Sequence, residues 1–243
     1  MSDPVARGLR NRAAMHDQDS PSTRARRRHA GFSMIEIVVA LAIIAVMAAI
    51  GAPQLQQLVA NQRVKSAARS IADAFLLARS EAIRTGNAHI VFLSADGSAL
   101  DGSALGAEPR TGIWPALVVN DGGPGDWNCA IDDTDPAVGI PPETGVAWGY
   151  TIAGGARAPG DDNAADPASG VTFEYRGNPV AAVLFRGDGI PLTFDAACTL
   201  GTIGSGGGAV YVTNGARDYA VVLSPLGAVR VHAFNSGVDA WND

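Results

Sequence analysis

Residues 32–52, FSMIEIVVALAIIAVMAAIGA, form one apolar run whose only charge is Glu36. As a helix rising about 1.5 Å per residue, this stretch reaches across the hydrocarbon core of a bilayer. A carboxylate placed at such depth costs on the order of 2.5–3.5 kcal/mol on insertion scales. Any account of the chain must therefore explain both the span and the acid near its start.

Charge around the run is lopsided. Residues 1–31 hold seven arginines against Asp3, Asp17 and Asp19, a net +4 out of an overall −6, which leaves −10 for the remainder. A basic head before an apolar run and an acidic body after it is the positive-inside pattern, so the head is expected in the cytoplasm and the body across the membrane. An acidic body also argues against bulk attraction to nucleic acid or anionic lipid.

Three readings of the run compete. A secretory signal peptide has a candidate cleavage site at Ala49-Ile50-Gly51, but its apolar core is normally about 7–15 residues and rarely carries an acid. A plain single-span anchor explains everything except Glu36. The third reading gives Glu36 a partner supplied by another molecule, because a paired carboxylate in a low dielectric is far cheaper than a lone one.

The stretch Gly31-Phe32-Ser33-Met34-Ile35-Glu36, followed by an apolar helix, resembles the class III signal of type IV pilins and type II secretion pseudopilins. The resemblance implies that a membrane prepilin peptidase cuts between Gly31 and Phe32 and that the new amino terminus at Phe32 is methylated. It further implies that Glu36 is the assembly residue, facing the Phe32 ammonium of a neighbouring subunit. Pro53 stands at the family's kink position. Met34 replaces the commoner leucine, and the leader of residues 1–31 is long for the family; neither change removes a needed group.

Beyond Pro53 the helical pattern continues. Ala68, Ile71, Phe75, Ala78 and Ala82 recur at steps of three and four, which places them on one helix face, and Leu76 and Ile83 are expected to widen that stripe. Arg84 suits a last helical turn and Gly86 suits the C′ position. A helix from Phe32 to Thr85 would be roughly 80 Å long.

From Ala88 the period changes to two. Val146, Trp148, Tyr150 and Ile152 alternate with Ala147, Gly149 and Thr151 as in a half-buried strand, and Val171-Phe173-Tyr175, Ile190-Leu192-Phe194 and Tyr219-Val221-Leu223 repeat the pattern. His89–Ser94 and Leu117–Val119 are apolar on both faces and read as central strands. Asn214-Gly215 predicts a hairpin between 209–213 and 218–224, and Ser224-Pro225-Leu226-Gly227 a turn before Val229–Phe234. Gly154–Gly170 and Gly201–Gly208 read as surface loops. Eight or nine short strands after one long helix give an α+β class, with a β-sandwich-like head packed on the helix's outer half. The expected division is a leader at 1–31, a transmembrane helix at 32–52, an amphipathic helix at 53–86 and a β-rich periplasmic head at 87–243.

Within the family, the stretch LARSEAI (residues 77–83) is similar to the minor pseudopilin H group, which includes the minor pilin T of type IV fimbrial biogenesis; Gly187-Asp188-Gly189 and Val221–Arg230 echo that group. This implies a single-pass inner-membrane subunit that helps to initiate or cap a secretion pseudopilus or a type IV pilus. Its partners would be other pilins or pseudopilins, the prepilin peptidase and inner-membrane lipid. Some minor pilins of the group capture DNA through a Gly-Arg-x-Arg turn. Here the position reads Gly227-Ala228-Val229-Arg230, without the first arginine, so DNA capture is the alternative; Arg217, Arg230 and His232 are the residues left to form a local patch.

No catalytic or metal-ligand spacing is present among the four histidines, and no nucleophile elbow, phosphate loop or dinucleotide fingerprint appears. The chain reads as an assembly component without enzyme activity, cofactor or metal. Asp121, Asp126, Asp132, Asp133 and Asp135 do not follow the calcium spacing of an EF-hand loop and read as a solvated loop. The two cysteines, Cys129 and Cys198, both fall in the body. An even count in an oxidising compartment favours a disulfide; the alternative is two small buried side chains too far apart to meet.

Overall fold

The computed structural model describes residues 32–93, 116–123, 126–129, 131, 135–140 and 143–242. Gly31, Ser94, Asp132 and Asp133, all singled out above, lie outside the described residues. One long apolar helix followed by antiparallel sheets gives an α+β fold of the kind pilins have.

Helix α1 spans Met34–Thr85 and continues through Pro53. Its start is fixed by the Ser33 carbonyl, which accepts the amides of Glu36 (3.0 Å) and Ile37 (3.2 Å). Glu36 lies in the first turn, where a carboxylate complements the helix dipole. The helix stops where expected. Gly86 takes a left-handed φ of 74° and returns its amide to the Ala82 carbonyl at 2.9 Å.

The chain divides into two compact units, Met1–Ala48 and Ala49–Asp243. In the first, every described side chain is exposed. In the second, α1 becomes a core element from Val64 onward. Asn61 marks the change, its Oδ1 accepting from Asn214 Nδ2 at 3.0 Å. Val64, Ala68, Ile71, Phe75, Ala78 and Ala82 are buried, as the periodicity predicts. Leu76 and Ile83 do not widen the stripe: they are 49% and 54% exposed. At 100° per residue they sit roughly 100–120° around the helix from its centre, and the stripe instead broadens through the smaller Ala72 and Ala74.

Twelve strands occur among the described residues: β1 (His89–Leu93), β2 (Ala116–Asn120), β3 (Ala137–Ile140), β4 (Ala147–Trp148), β5 (Glu174–Tyr175), β6 (Asn178–Pro179), β7 (Ala182–Phe185), β8 (Pro191–Leu192), β9 (Gly208–Thr213), β10 (Asp218–Leu223), β11 (Val229–Asn235) and β12 (Ala240–Asn242). They form two five-stranded antiparallel sheets, ordered β3-β2-β1-β7-β8 and β12-β11-β10-β9-β4, with β5-β6 as a separate pair. Each sheet turns one set of alternate residues toward α1. Val91, Leu93, Val118, Val183 and Phe185 of the first and Val210, Val212, Val221 and Leu223 of the second join the helix stripe in one core. Phe75 is its centre, with the rings of Phe173 and Phe185 at 5.9 and 6.4 Å.

The opposite faces are also covered, and by loops. Ile90, Phe92, Leu117, Val119 and Leu184 pack beneath Trp127, Cys129, Ile131, Phe194, Cys198 and Leu200. There a disulfide joins Cys129 to Cys198, with Cα atoms 5.3 Å apart, and the Asp121 carboxylate accepts the Cys129 amide at 2.9 Å. Closing a loop of about 70 residues stabilises the body by about 4 kcal/mol in a chain-entropy treatment.

The second sheet's cover overturns two expectations. The strand read over 146–152 is only Ala147–Trp148. Gly149 turns the chain away at φ 96°, lying so close to Ala168 that a Cβ would stand 2.7 Å from its carbonyl oxygen. The amides of Thr151, Ile152 and Ala153 then converge on Oδ2 of buried Asp218 at 2.9, 2.7 and 2.8 Å. Residues 154–170 are likewise not a free surface loop. Ala158, Asp161 and Pro167 are buried. Asp161 accepts from the Tyr211 hydroxyl at 2.7 Å and from Thr172 Oγ1 at 2.8 Å, with Arg157 3.3 Å away. Burial raises the Tyr211 pKa well above the ordinary phenol value, and the hydrogen bond to Asp161 adds to the shift.

Candidate assembly segment

The segment that starts at Phe32 is built from one rule, that an apolar run with satisfied backbone is stable in lipid as a helix. Phe32 precedes the helix and is 79% exposed. From Met34 the backbone is helical, and Ile35, Ile37, Val38, Leu41, Ile44, Met47 and Ile50 present large side chains outward all around the axis. The helix is long and apolar enough to cross a membrane. Glu36 is exposed, and its carboxylate has no hydrogen-bond or ion-pair partner among the described residues. The segment is thus an apolar surface carrying one unmet charge, at the fifth residue after the expected cut.

A second cluster lies in the body and joins three separated stretches. Arg79 Nη1 donates to the Gly227 carbonyl at 2.8 Å. A Cβ on Gly227 would approach Arg79 Nε to 3.1 Å and the Gly189 carbonyl oxygen to 3.0 Å, and one on Gly189 would stand 2.6 Å from Ile83 Cδ1. Both glycines also need positive φ, 76° at Gly189 and 84° at Gly227. The LARSEAI helix segment, the 187–189 turn and the 224–227 turn are therefore one packed corner. Next to it, Arg84 binds Glu81 at 2.6 Å, which holds the Glu81 carboxyl below its usual range and raises the Arg84 guanidinium. These contacts shape the body and create no reactive group.

The remaining candidates do not converge. Arg217 lies in the β9–β10 turn, whereas Arg230 pairs with Val222 toward the far end of β10. Five residues of strand separate those levels, roughly 17 Å. His232 is 1% exposed and packed inside. His89 is buried as well; desolvation lowers its pKa, opposed by the nearby Asn87 carbonyl. Among the described residues no group of three or more His, Cys, Asp or Glu is arranged to hold a metal ion. The Cys129–Cys198 disulfide agrees with the pairing that the even cysteine count favoured, whereas the Asp218 and Asp161 clusters escaped sequence reading, because their partners lie far along the chain.

Residues 26–52 match the prokaryotic N-terminal methylation motif. No curated protein and no solved structure matches the chain. The motif, together with the long apolar helix ahead of antiparallel sheets, supports a type IV pilin-like protein anchored by a single membrane span.

Proposed function

We propose that this pilin-like chain is a filament subunit whose assembly residue is Glu36. In this reading a prepilin peptidase removes residues 1–31, the Phe32 amine is methylated, and residues 32–52 hold the chain in the inner membrane. The amphipathic helix 53–86 and the head 87–243 lie in the periplasm. The observation that carries the reading is the lone Glu36 carboxylate in the first turn of an exposed apolar helix, within the matched motif. A plain anchor has no use for it, whereas the Phe32 ammonium of a neighbouring subunit would compensate it in a low dielectric.

The finer reading is a minor subunit of the pseudopilin H and fimbrial minor pilin T group. It would support initiation or tip assembly of a secretion pseudopilus or a type IV pilus. The corner of Arg79, Gly189 and Gly227 gives a physical use to the three stretches on which that resemblance rests. Replacing Glu36 with Leu tests the assembly role. The change makes the span more apolar, so insertion should be kept or improved, while incorporation into the filament should be lost. Secretion or piliation at the wild-type level in Glu36→Leu would remove the basis of the proposal.

A further inference from the structure

The Cys129–Cys198 disulfide is carried on an uncommon backbone. Four non-glycine residues have positive φ among the described residues, and two of them are its own ends, Cys129 and Cys198, both at 58°. An L-residue in that region crowds its Cβ against the following carbonyl oxygen, so the closed bond holds two such residues at once. Residues kept in sparsely populated backbone wells cluster in segments that switch. The two ends are held unequally. Cys198 sits in a turn that satisfies itself: the Asp195 carbonyl accepts the Cys198 amide at 2.9 Å, and Asp195 Oδ1 accepts the amides of Ala197 and Thr199 at 3.0 and 2.8 Å. Cys129 lies in a stretch without helix or strand, with Asp126 and Asn128 exposed beside it, and its amide bonds the Asp121 carboxylate. We propose that this disulfide is a reversible redox latch: thiol exchange at Cys198 frees Trp127, Cys129 and Ile131 from the outer face of the first sheet, while the rest of the body stays folded.

Access selects the sulfur. Cys129 is 8% exposed, whereas Cys198 is only partly buried, between exposed Ala197 and Thr199. A thiolate of a small dithiol, or of a dithiol oxidoreductase, therefore attacks Cys198 Sγ. The Sγ–Sγ bond breaks and Cys129 leaves as a thiolate, which takes up a proton. The donor's second thiol then displaces Cys198 and closes the donor's own disulfide. Two electrons pass from donor to latch, and both cysteines are free to return to negative φ. What the open latch uncovers is apolar: Ile90, Phe92, Leu117, Val119 and Leu184 lie beneath Trp127, Cys129 and Ile131. The strands keep their ladders, because β1 pairs with β2 and β7 independently of the disulfide.

The test uses the folded full chain in a neutral maltoside detergent, with glutathione as the thiol. Structural disulfides resist the glutathione pool and labile ones yield to it, so about 10 mM reduced glutathione should open at least about half of the molecules without denaturant. A short exposure, quenched in acid and followed by peptide mass spectrometry, should find glutathione on Cys198 and a free thiol at Cys129. After full reduction, hydrogen exchange at Trp127, Cys129 and Ile131 should quicken by at least about tenfold, while residues 90–93, 117–120 and 218–223 change by less than about twofold. Cys129→Ser/Cys198→Ser, an open form that no thiol can alter, should show the same exchange pattern with or without glutathione. A disulfide that persists in glutathione, an adduct on Cys129, or unchanged exchange at Trp127, Cys129 and Ile131 would each overturn the proposal. So would loss of protection in the second sheet, whether on reduction or in the Ser variant.

Discussion

Replacing Phe75 with Ala should remove more stability from the body than any neighbouring helix change. Phe75 is fully buried between the two sheets, against Phe173 and Phe185. Truncating a buried phenylalanine costs about 3–5 kcal/mol, set by lost transfer energy and by how far the cavity collapses. Here collapse is restricted, because Ala72, Ala74 and Ala78 have no reach and the flanking residues belong to hydrogen-bonded strands. A loss of about 4 kcal/mol, in a body of this size, lowers the melting temperature by roughly 8–16 °C. Leu76→Ala is the internal control, since position 76 is half-exposed and should cost under about 0.5 kcal/mol. Thermal unfolding of the full chain in detergent, followed by tryptophan fluorescence at high salt, gives both numbers. Equal losses at positions 75 and 76, or a Phe75→Ala loss below about 1 kcal/mol, would refute the placement of the outer helix as the centre of the core.

Other outcomes follow from the loop covers. Asp218→Ala orphans three converging amides and should cost about 2–4 kcal/mol in urea unfolding, with early proteolysis between β4 and β5. Cys129→Ala/Cys198→Ala should destabilise the body by up to about 4 kcal/mol and increase binding of an apolar dye as Trp127 and Phe194 loosen. Tyr211 is held neutral in the folded state, its pKa raised above that of the unfolded chain. Its contribution is therefore complete below about pH 10 and is lost progressively as pH rises beyond that value. Tyr211→Phe should lower stability at neutral pH by about 1–3 kcal/mol, by leaving Asp161 and the Ala158 amide short of a partner, and should flatten the alkaline limb of the stability–pH curve.

Elements governed by short-range periodicity were legible in the sequence. The stripe from Ala68 to Ala82, the stop at Gly86, and the Asn214-Gly215 hairpin each depend on residues within a few positions of one another. The Asn214 side chain even supplies the turn's own acceptor for the Ala216 and Arg217 amides. The route of residues 149–166 was not legible. Asp218 reads locally as the first residue of a strand, and nothing near it announces amides 65 to 67 positions away. β7 was missed although Ala182–Phe185 is, like β1 and β2, a short apolar run buried on both faces. Leu76 and Ile83 misled because hydrophobicity alone does not say which neighbour covers a side chain. The candidate site lies at the legible extreme, since Gly31, Phe32 and Glu36 fall within six consecutive residues and form a motif in the chain itself.

The central claim is that Phe32 becomes the amino terminus of the working subunit. Its most direct test is the intact mass of the full chain after co-expression with a prepilin peptidase, with the N-terminal peptide sequenced by fragmentation. The expected product lacks residues 1–31, begins at Phe32 and carries a methyl group on that nitrogen, while Gly31→Ala is cut slowly or not at all. An intact leader, or a product that begins near Gly51, would contradict the account.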